Sequence, residues 1–422
     1  MGFEMTDVII SGSFYREGKF EELSVAVEDG IIRKIGKDVH GAKNIRISGG
    51  IFPGATDIHV HFRDPGETHK EDFASGSLSA IYGGTTTVFD MPNNVIPVTD
   101  YDVFENKLSI VSGRSFCDFG LYSMYTGSNS SLISSKSSGI KSYLGESTNA
   151  TAVGGEMKGF DEIEKLPVPK VFHAESFRCL KNHHTEGVKN LREHNLSRPL
   201  ECEIDSLKDV KGFPLTRKIA AHITSEDSAR TLGDSALKEV TPHHLLLNDM
   251  DQHGSWARVN PPLREREVQE KLLAAYLSGS MDIVSSDHAP HTEEDKEDFE
   301  FSKSGLIGVE TRIPLMLALV KKGILSMERF YSTCIRNPAA AFGLRKGELK
   351  EGYYADFFAA NLSDMSGVKE RNLHSKTPFT PFNGFQSVFP NTVILRGEVV
   401  IENREAILEP MGRHVLDLRR VE

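Results

Sequence analysis

Cysteine is scarce in this chain, and so is excess positive charge. Its 422 residues include four cysteines, Cys117, Cys179, Cys202 and Cys334, with no Cys-x-x-Cys pair among them. Such spacing indicates neither a thiolate zinc site nor a disulfide framework, and a reducing cytoplasm is the setting it predicts. Lys and Arg number 49 against 60 Asp and Glu, a formal net charge of −11. That balance argues against a nucleic-acid surface, which needs clustered basic residues. An anionic substrate would have to be held by local cations or by metal. No apolar run approaches the ~20 residues that span a bilayer, and the acidic N-terminus lacks an export signal's apolar core, so no membrane partner is expected.

What is present suits a soluble globular protein: 39% hydrophobic and 26% charged residues, in a chain long enough for one large domain with an appendage. Short strands are predicted at both ends. Asp7–Ile10, Leu23–Val27 and Ile31–Ile35, with an Asp29-Gly30 turn, open the chain, and Asp356–Ala360, Asn391–Leu395 and Val399–Ile401 close it. Neither set makes a stable sheet alone. The two ends are therefore expected to pair as one small β-sandwich domain, residues 1–50 and 350–422. Between them, over 51–349, apolar β-rich runs alternate with helical stretches, at 51–60, 85–90, 118–124, 139–144, 169–174, 218–223, 237–241 and 281–287. Eight such units predict an α/β fold, a (β/α)₈ TIM-type barrel with its active site at the strand C-termini.

Chemistry-bearing residues recur at those ends. His59 and His61 are two apart at the end of the first run, so both rings can face one metal, with Arg63 just beyond. Asn93 follows the second run, Lys141 lies in the fourth, His173 ends the fifth, His222 the sixth and Asp287 the eighth. Singly, His173 and His222 read as core histidines and Asp287 as a cap; together at the strand ends of one barrel they read as a metal centre. Histidine and carboxylate donors without cysteine suit Zn²⁺ or a similar divalent ion. Five donors exceed one tetrahedral site with an open position, which points to two ions needing an anionic bridge. A neutral Lys141 could add CO₂ and supply that bridge as a carbamate, although a surface lysine near a loop fits the bare sequence equally well.

The motifs Asp57-Ile-His-Val-His-Phe-Arg63, Asp90-Met-Pro-Asn-Asn94, Ile140-Lys-Ser-Tyr-Leu144, His173-Ala-Glu175, Asn260-Pro-Pro-Leu-Arg264 and Asp287-His-Ala-Pro-His291 resemble those of the dihydroorotases in the cyclic amidohydrolase superfamily. The resemblance spans essentially the whole chain. It implies a reversible cyclisation of N-carbamoyl-L-aspartate to L-dihydroorotate, as in pyrimidine biosynthesis. It implies two Zn²⁺ ions, His59, His61 and Asp287 on one, His173 and His222 on the other, with carbamylated Lys141 between them. It also implies that Asp287 is catalytic, that Arg63, Asn93 and His291 hold the substrate carboxylate and that Asn260 contacts the ring. Some relatives place an aspartate where the lysine stands. The partner is then a small molecule, with a homo-oligomer an open option. Allantoinase or hydantoinase is the rival activity, disfavoured because Arg63 has no role on a ring lacking a carboxylate, and a non-catalytic scaffold is a further alternative.

Other features carry lesser expectations. The Ser-rich stretch 127–139 reads as connecting material, and residues 291–304 as a mobile lid or a solvated loop. His183, His184 and His194 read as an exposed helical face, and His243-His244 as barrel packing.

Overall fold

The computed structural model describes residues 8–418, apart from 38, 40, 42, 151, 154–156 and 408. Asp7 of the first predicted run lies outside the described residues, as do 1–6 and 419–422 of the expected small domain. Eight strands form the central sheet in chain order: β1 Ala55–Val60, β2 Thr85–Asp90, β3 Asp118–Met124, β4 Gly139–Tyr143, β5 Lys170–His173, β6 Lys218–Ala220, β7 Leu237–Val240 and β8 Ile283–Val284. Each neighbouring pair is parallel. Val60 also bridges His288, just past β8, in parallel, and so the sheet closes on itself with helices following its strands. This is the (β/α)₈ barrel the alternation predicts. The first four strands are buried along their whole length, which is why they read as unbroken runs rather than alternating ones.

A latch holds the closure. Arg312 is fully buried; its guanidinium pairs with Asp57 of β1 at 3.2 Å and donates to Val284 O of β8 at 2.9 Å and Thr85 Oγ1 of β2 at 3.0 Å. Asp57 also accepts from Ser286 N at 3.2 Å. One buried ion pair with its surrounding hydrogen bonds thus ties the first, second and last strands below the site.

The terminal segments build a second eight-stranded sheet. Lys19–Glu28 lies between Val8–Arg16 and Ile31–Gly36, and Val8–Arg16 runs parallel to Asn44–Pro53. Asn44–Pro53 pairs with Phe357–Ala360, and Thr392–Leu395, Glu398–Glu402 and Glu405–Ala406 complete the order. At the predicted turn Asp29 and Gly30 both have positive φ, 52° and 75°, as a type I′ hairpin requires. Phe52 stacks on its cross-strand neighbour Phe358 at 5.2 Å and seats this sheet against the barrel domain by meeting Phe330 edge-on at 5.7 Å.

Several expectations are corrected. The run 51–60 is two strands: Ile51–Pro53 belongs to the terminal sheet, Ala55–Val60 to the barrel, and Gly54 between them donates to Asp356 O. A Cβ at Gly54 would lie 2.2 Å from Thr86 Oγ1, so only glycine fits where the chain changes sheets. The Ser-rich stretch does connect β3 to β4, with Ser134, Ser137 and Ser138 buried and Ser128, Ser131 and Ser135 exposed. Cys179 and Cys202 form a disulfide, contrary to the sequence reading. They are 23 residues apart and meet because helices Phe177–His183 and Leu200–Gly212 bring their Cα atoms within 5.2 Å, a tertiary proximity that motif spacing does not reveal. His194 is not on an exposed face: it is buried, with Nε2 3.0 Å from Val259 O and 2.9 Å from Asn260 Oδ1.

Candidate metal centre and anion pocket

The C-terminal strand ends converge as the sequence predicts. His59 lies in β1, His61 and Arg63 just beyond it, Lys141 in β4, His173 at the end of β5, His222 two residues past β6 and Asp287 three past β8. Arg63, His222 and Asp287 have φ of 59°, 39° and 48°. Non-glycine residues rarely occupy this left-handed region, and its recurrence where strands release their side chains into one cavity is strain held in place by the barrel.

Asp287 Oδ1 lies 3.3 Å from His59 Nε2 and 3.1 Å from His61 Nε2. Across the cavity His173 Nδ1 is 3.0 Å from His222 Nε2. The two groups meet, because ligand atoms of His59, His222 and Asp287 all lie within 4.8 Å of one another. Burial lowers the basicity of the rings: His61 is pushed down to about 3, His173 lies below its ordinary value and His222 well below it. Burial opposes ionisation of Asp287, but the surrounding His59, His61 and His222 outweigh it and hold the carboxyl well below the usual range. Neutral rings at His61, His173 and His222 beside an ionised Asp287 are in the protonation state that a divalent cation requires.

Three rings have partners that fix which nitrogen faces the cavity. His59 Nδ1 donates to Glu239 Oε1 at 2.8 Å, His61 Nδ1 to Asn93 Oδ1 at 2.8 Å and His173 Nε2 to Glu175 Oε2 at 2.9 Å. Each therefore leaves its other nitrogen as a lone pair pointing inward, the arrangement that orients metal-ligating histidines. Glu175 is held in turn by Arg198, at 3.1 Å from Nε and 2.5 Å from Nη2. Lys141 is wholly buried and its Nζ has no hydrogen-bond partner among the described residues; burial pushes its pKa down to about 8, against the attraction of Glu239 and Asp287. A buried amine without a hydrogen-bond partner among the described residues is the atom that carbamylation would complete. The donor set fits a divalent ion.

The same cavity is lined by Arg63, Asn93, Tyr143 and Asn260. Arg63 Nε donates to Pro290 O at 3.2 Å, and Nη2 lies 3.1 Å from His291 Nε2. His291 does not line the cavity; it stands behind Arg63. Burial and the Arg63 charge push it down to about 3, so it is a neutral acceptor. Asn93 Nδ2 donates to Thr148 O at 2.8 Å and keeps a second hydrogen. Asn260 Oδ1 accepts from His194, which leaves its amide nitrogen as the donor. The 291–304 segment is tied down by Asp295 on Lys70 at 3.0 Å and by buried Lys296 on Ser255 O and Gly305 O. His244 bonds Thr241 and Pro261, while His243 is buried with neither ring nitrogen bonded among the described residues.

Sequence reasoning missed Glu239, Arg198, His194 and the orienting parts of Glu175 and Asn93. Glu239 carried a faint signal, an acid inside a strand of a fully covered parallel sheet. His194 carried none, since its partner lies 66 residues away.

The amidohydrolase family model matches residues 51–400. A dihydroorotase of Thermoplasma volcanium is 54% identical over 413 residues, 97% of this chain and 98% of the relative. One from Thermoplasma acidophilum is 53% identical, covering 96% and 97%. Among solved structures, an L-hydantoinase (dihydropyrimidinase) from Arthrobacter aurescens superposes with a TM-score of 0.91 at 28% identity, over 97% of this chain and 100% of that one. A dihydropyrimidinase from Brevibacillus agri, at 22% identity and a TM-score of 0.87, shares the fold. The chain belongs to the amidohydrolase family and, within it, to the dihydroorotases.

Proposed function

We propose that this chain catalyses the reversible interconversion of N-carbamoyl-L-aspartate and L-dihydroorotate, using divalent metal held by His59, His61, His173, His222 and Asp287 with carbamylated Lys141 between the two halves. The observation that carries this reading is Arg63, a guanidinium lining the cavity that the histidines and Asp287 also line. Zn²⁺ is the ion the donor set suits best. When bound, such ions supply Lewis acidity toward the ring amide and make hydroxide accessible near neutral pH.

The chain's own groups do the rest. Arg63 pairs with the substrate carboxylate in a geometry that guanidinium favours, the spare amide hydrogen of Asn93 adds to it, and His291 supports the guanidinium from behind. Asn260 presents its amide nitrogen to a ring oxygen. Asp287 takes the proton of the attacking water and delivers it to the ring nitrogen as the C–N bond opens; in the reverse direction it removes that proton. Ring closure consumes one carboxylate charge and one proton, so the equilibrium should move toward dihydroorotate as pH falls.

The 0.91 TM-score to an L-hydantoinase makes hydantoin hydrolysis the second reading. Turnover of dihydroorotate, hydantoin and allantoin by the metal-loaded protein separates them. Preference for dihydroorotate that collapses in Arg63→Met supports the proposal. Equal or better turnover of hydantoin, unaffected by Arg63→Met, overturns it.

A further inference from the structure

The four cysteines divide into two kinds. Cys117 and Cys334 are wholly buried, and burial raises both thiols, Cys334 to about 11; such thiols are inert. Cys179 and Cys202 are disulfide-bonded, and Cys179 is only partly buried. An imidazole flanks this pair: His183 Nδ1 lies 3.7 Å from Cys179 Sγ and 4.0 Å from Cys202 Sγ. The ring also faces Cys179 O at 3.0 Å and Glu201 Oε1 at 3.1 Å. A partly exposed disulfide with an imidazole beside it is the environment in which thiol exchange proceeds.

The bridge is mechanically continuous with the metal centre. It joins the helix that begins just after Glu175 to the helix that begins just after Arg198. Ser176 N donates to Cys202 O at 2.8 Å, so the turn carrying Glu175 is tied to the bridged segment. Glu175 and Arg198 form the clamp on His173 Nε2.

We propose that Cys179–Cys202 is a thiol–disulfide exchange site, a modification site outside the active centre, whose state sets how firmly Glu175 and Arg198 hold His173. The co-reactant is a dithiol. One of its thiolates attacks Cys179 Sγ, forming a mixed disulfide and breaking the Cys179–Cys202 bond. Cys202 leaves as a thiolate and takes a proton from His183. The second thiolate of the reductant then attacks its own bonded sulfur, releasing Cys179 as a thiolate that is protonated in turn. The two protons that the dithiol sheds as its thiolates form pass through solvent, one restoring His183 and one protonating Cys179, so two electrons and two protons reach the protein and the dithiol becomes a cyclic disulfide.

The test uses metal-loaded full-length protein prepared without reductant, alkylated with iodoacetamide before and after dithiothreitol, with adducts located by peptide mass. The proposal expects no adduct on Cys179 or Cys202 before treatment and one on each after it, while Cys117 and Cys334 stay unlabelled. His183→Ala should slow the labelling roughly tenfold. In Cys179→Ser/Cys202→Ser, chelator competition should show zinc held roughly tenfold more weakly, at the low end of what loss of an orienting partner does. Labelling of both cysteines before treatment, labelling only together with Cys117 and Cys334, an unchanged rate in His183→Ala, or unchanged zinc affinity in the double variant would overturn it. None of these readouts involves substrate, so they stand apart from any failure of the proposed activity.

Discussion

Two lysines of this chain are buried to the same depth and treated in opposite ways. Lys346 is 2% exposed and Lys141 0%. Lys346 meets Asp118 at 2.5 Å and also pairs with Asp356, while Arg396 shares Asp118. Burial alone would strip its proton, but the two carboxylates outweigh it and raise its pKa. Lys141 has the burial without the partners, and its pKa falls to about 8. The first is a structural ion network, costly to assemble but costlier to break. The second is an amine whose proton is loosened among metal-binding groups, at the face where barrel enzymes place their chemistry. Burial of a lysine alone says nothing about its purpose; the company it keeps decides.

The contrast can be broken from either side. The largest effect is expected at Asp287, where replacement by Asn removes the acid–base group and should lower kcat/KM for dihydroorotate by roughly 10³- to 10⁴-fold, with urea unfolding little changed. Lys346→Met should do the reverse. It leaves buried Asp356 without a cation and Asp118 with Arg396 alone, and should cost about 3–5 kcal/mol in urea unfolding, while the folded fraction keeps its turnover; a loss of activity per folded molecule would mean the two faces are coupled. Glu239→Gln, which weakens the acceptor on His59, should reduce zinc affinity about 10- to 100-fold, read by chelator competition, and leave stability nearly untouched. The smallest effect is a rate. Lys141 loses its proton as pH rises through about 8, and only the neutral amine adds CO₂. Reconstitution of metal-free protein with zinc and bicarbonate should therefore be slow at pH 6.5, quicken toward pH 8.5 and level off above it, as followed by recovered turnover; a flat profile would remove the amine from the process.

Much of this was legible in the sequence because it is local. A strand projects residues two apart onto one face, so His59 and His61 announce themselves, and a barrel puts strand ends together, so His173, His222 and Asp287 could be assembled from position alone. Strands β2, β3 and β7 fell within a residue of their expected bounds for the same reason: apolar runs between polar turns. What escaped depends on tertiary proximity. Nothing in the spacing of Cys179 and Cys202 distinguishes them from Cys117 and Cys334, and His194 reads as a surface histidine until Asn260 folds against it. Arg312, the latch beneath the site, sits at the head of an apolar helix where its sequence context suggests a solvated end. The split at Gly54 was invisible because both halves of the run are apolar and only their partners differ.

The central claim is that Lys141 is unpaired because it becomes the bridge between two metal-binding halves. Metal ions per subunit in zinc-saturated, desalted Lys141→Met test it most directly. The account predicts that stoichiometric binding of the pair is lost in a protein that remains folded. Two ions per subunit, retained as in the wild type, would contradict it.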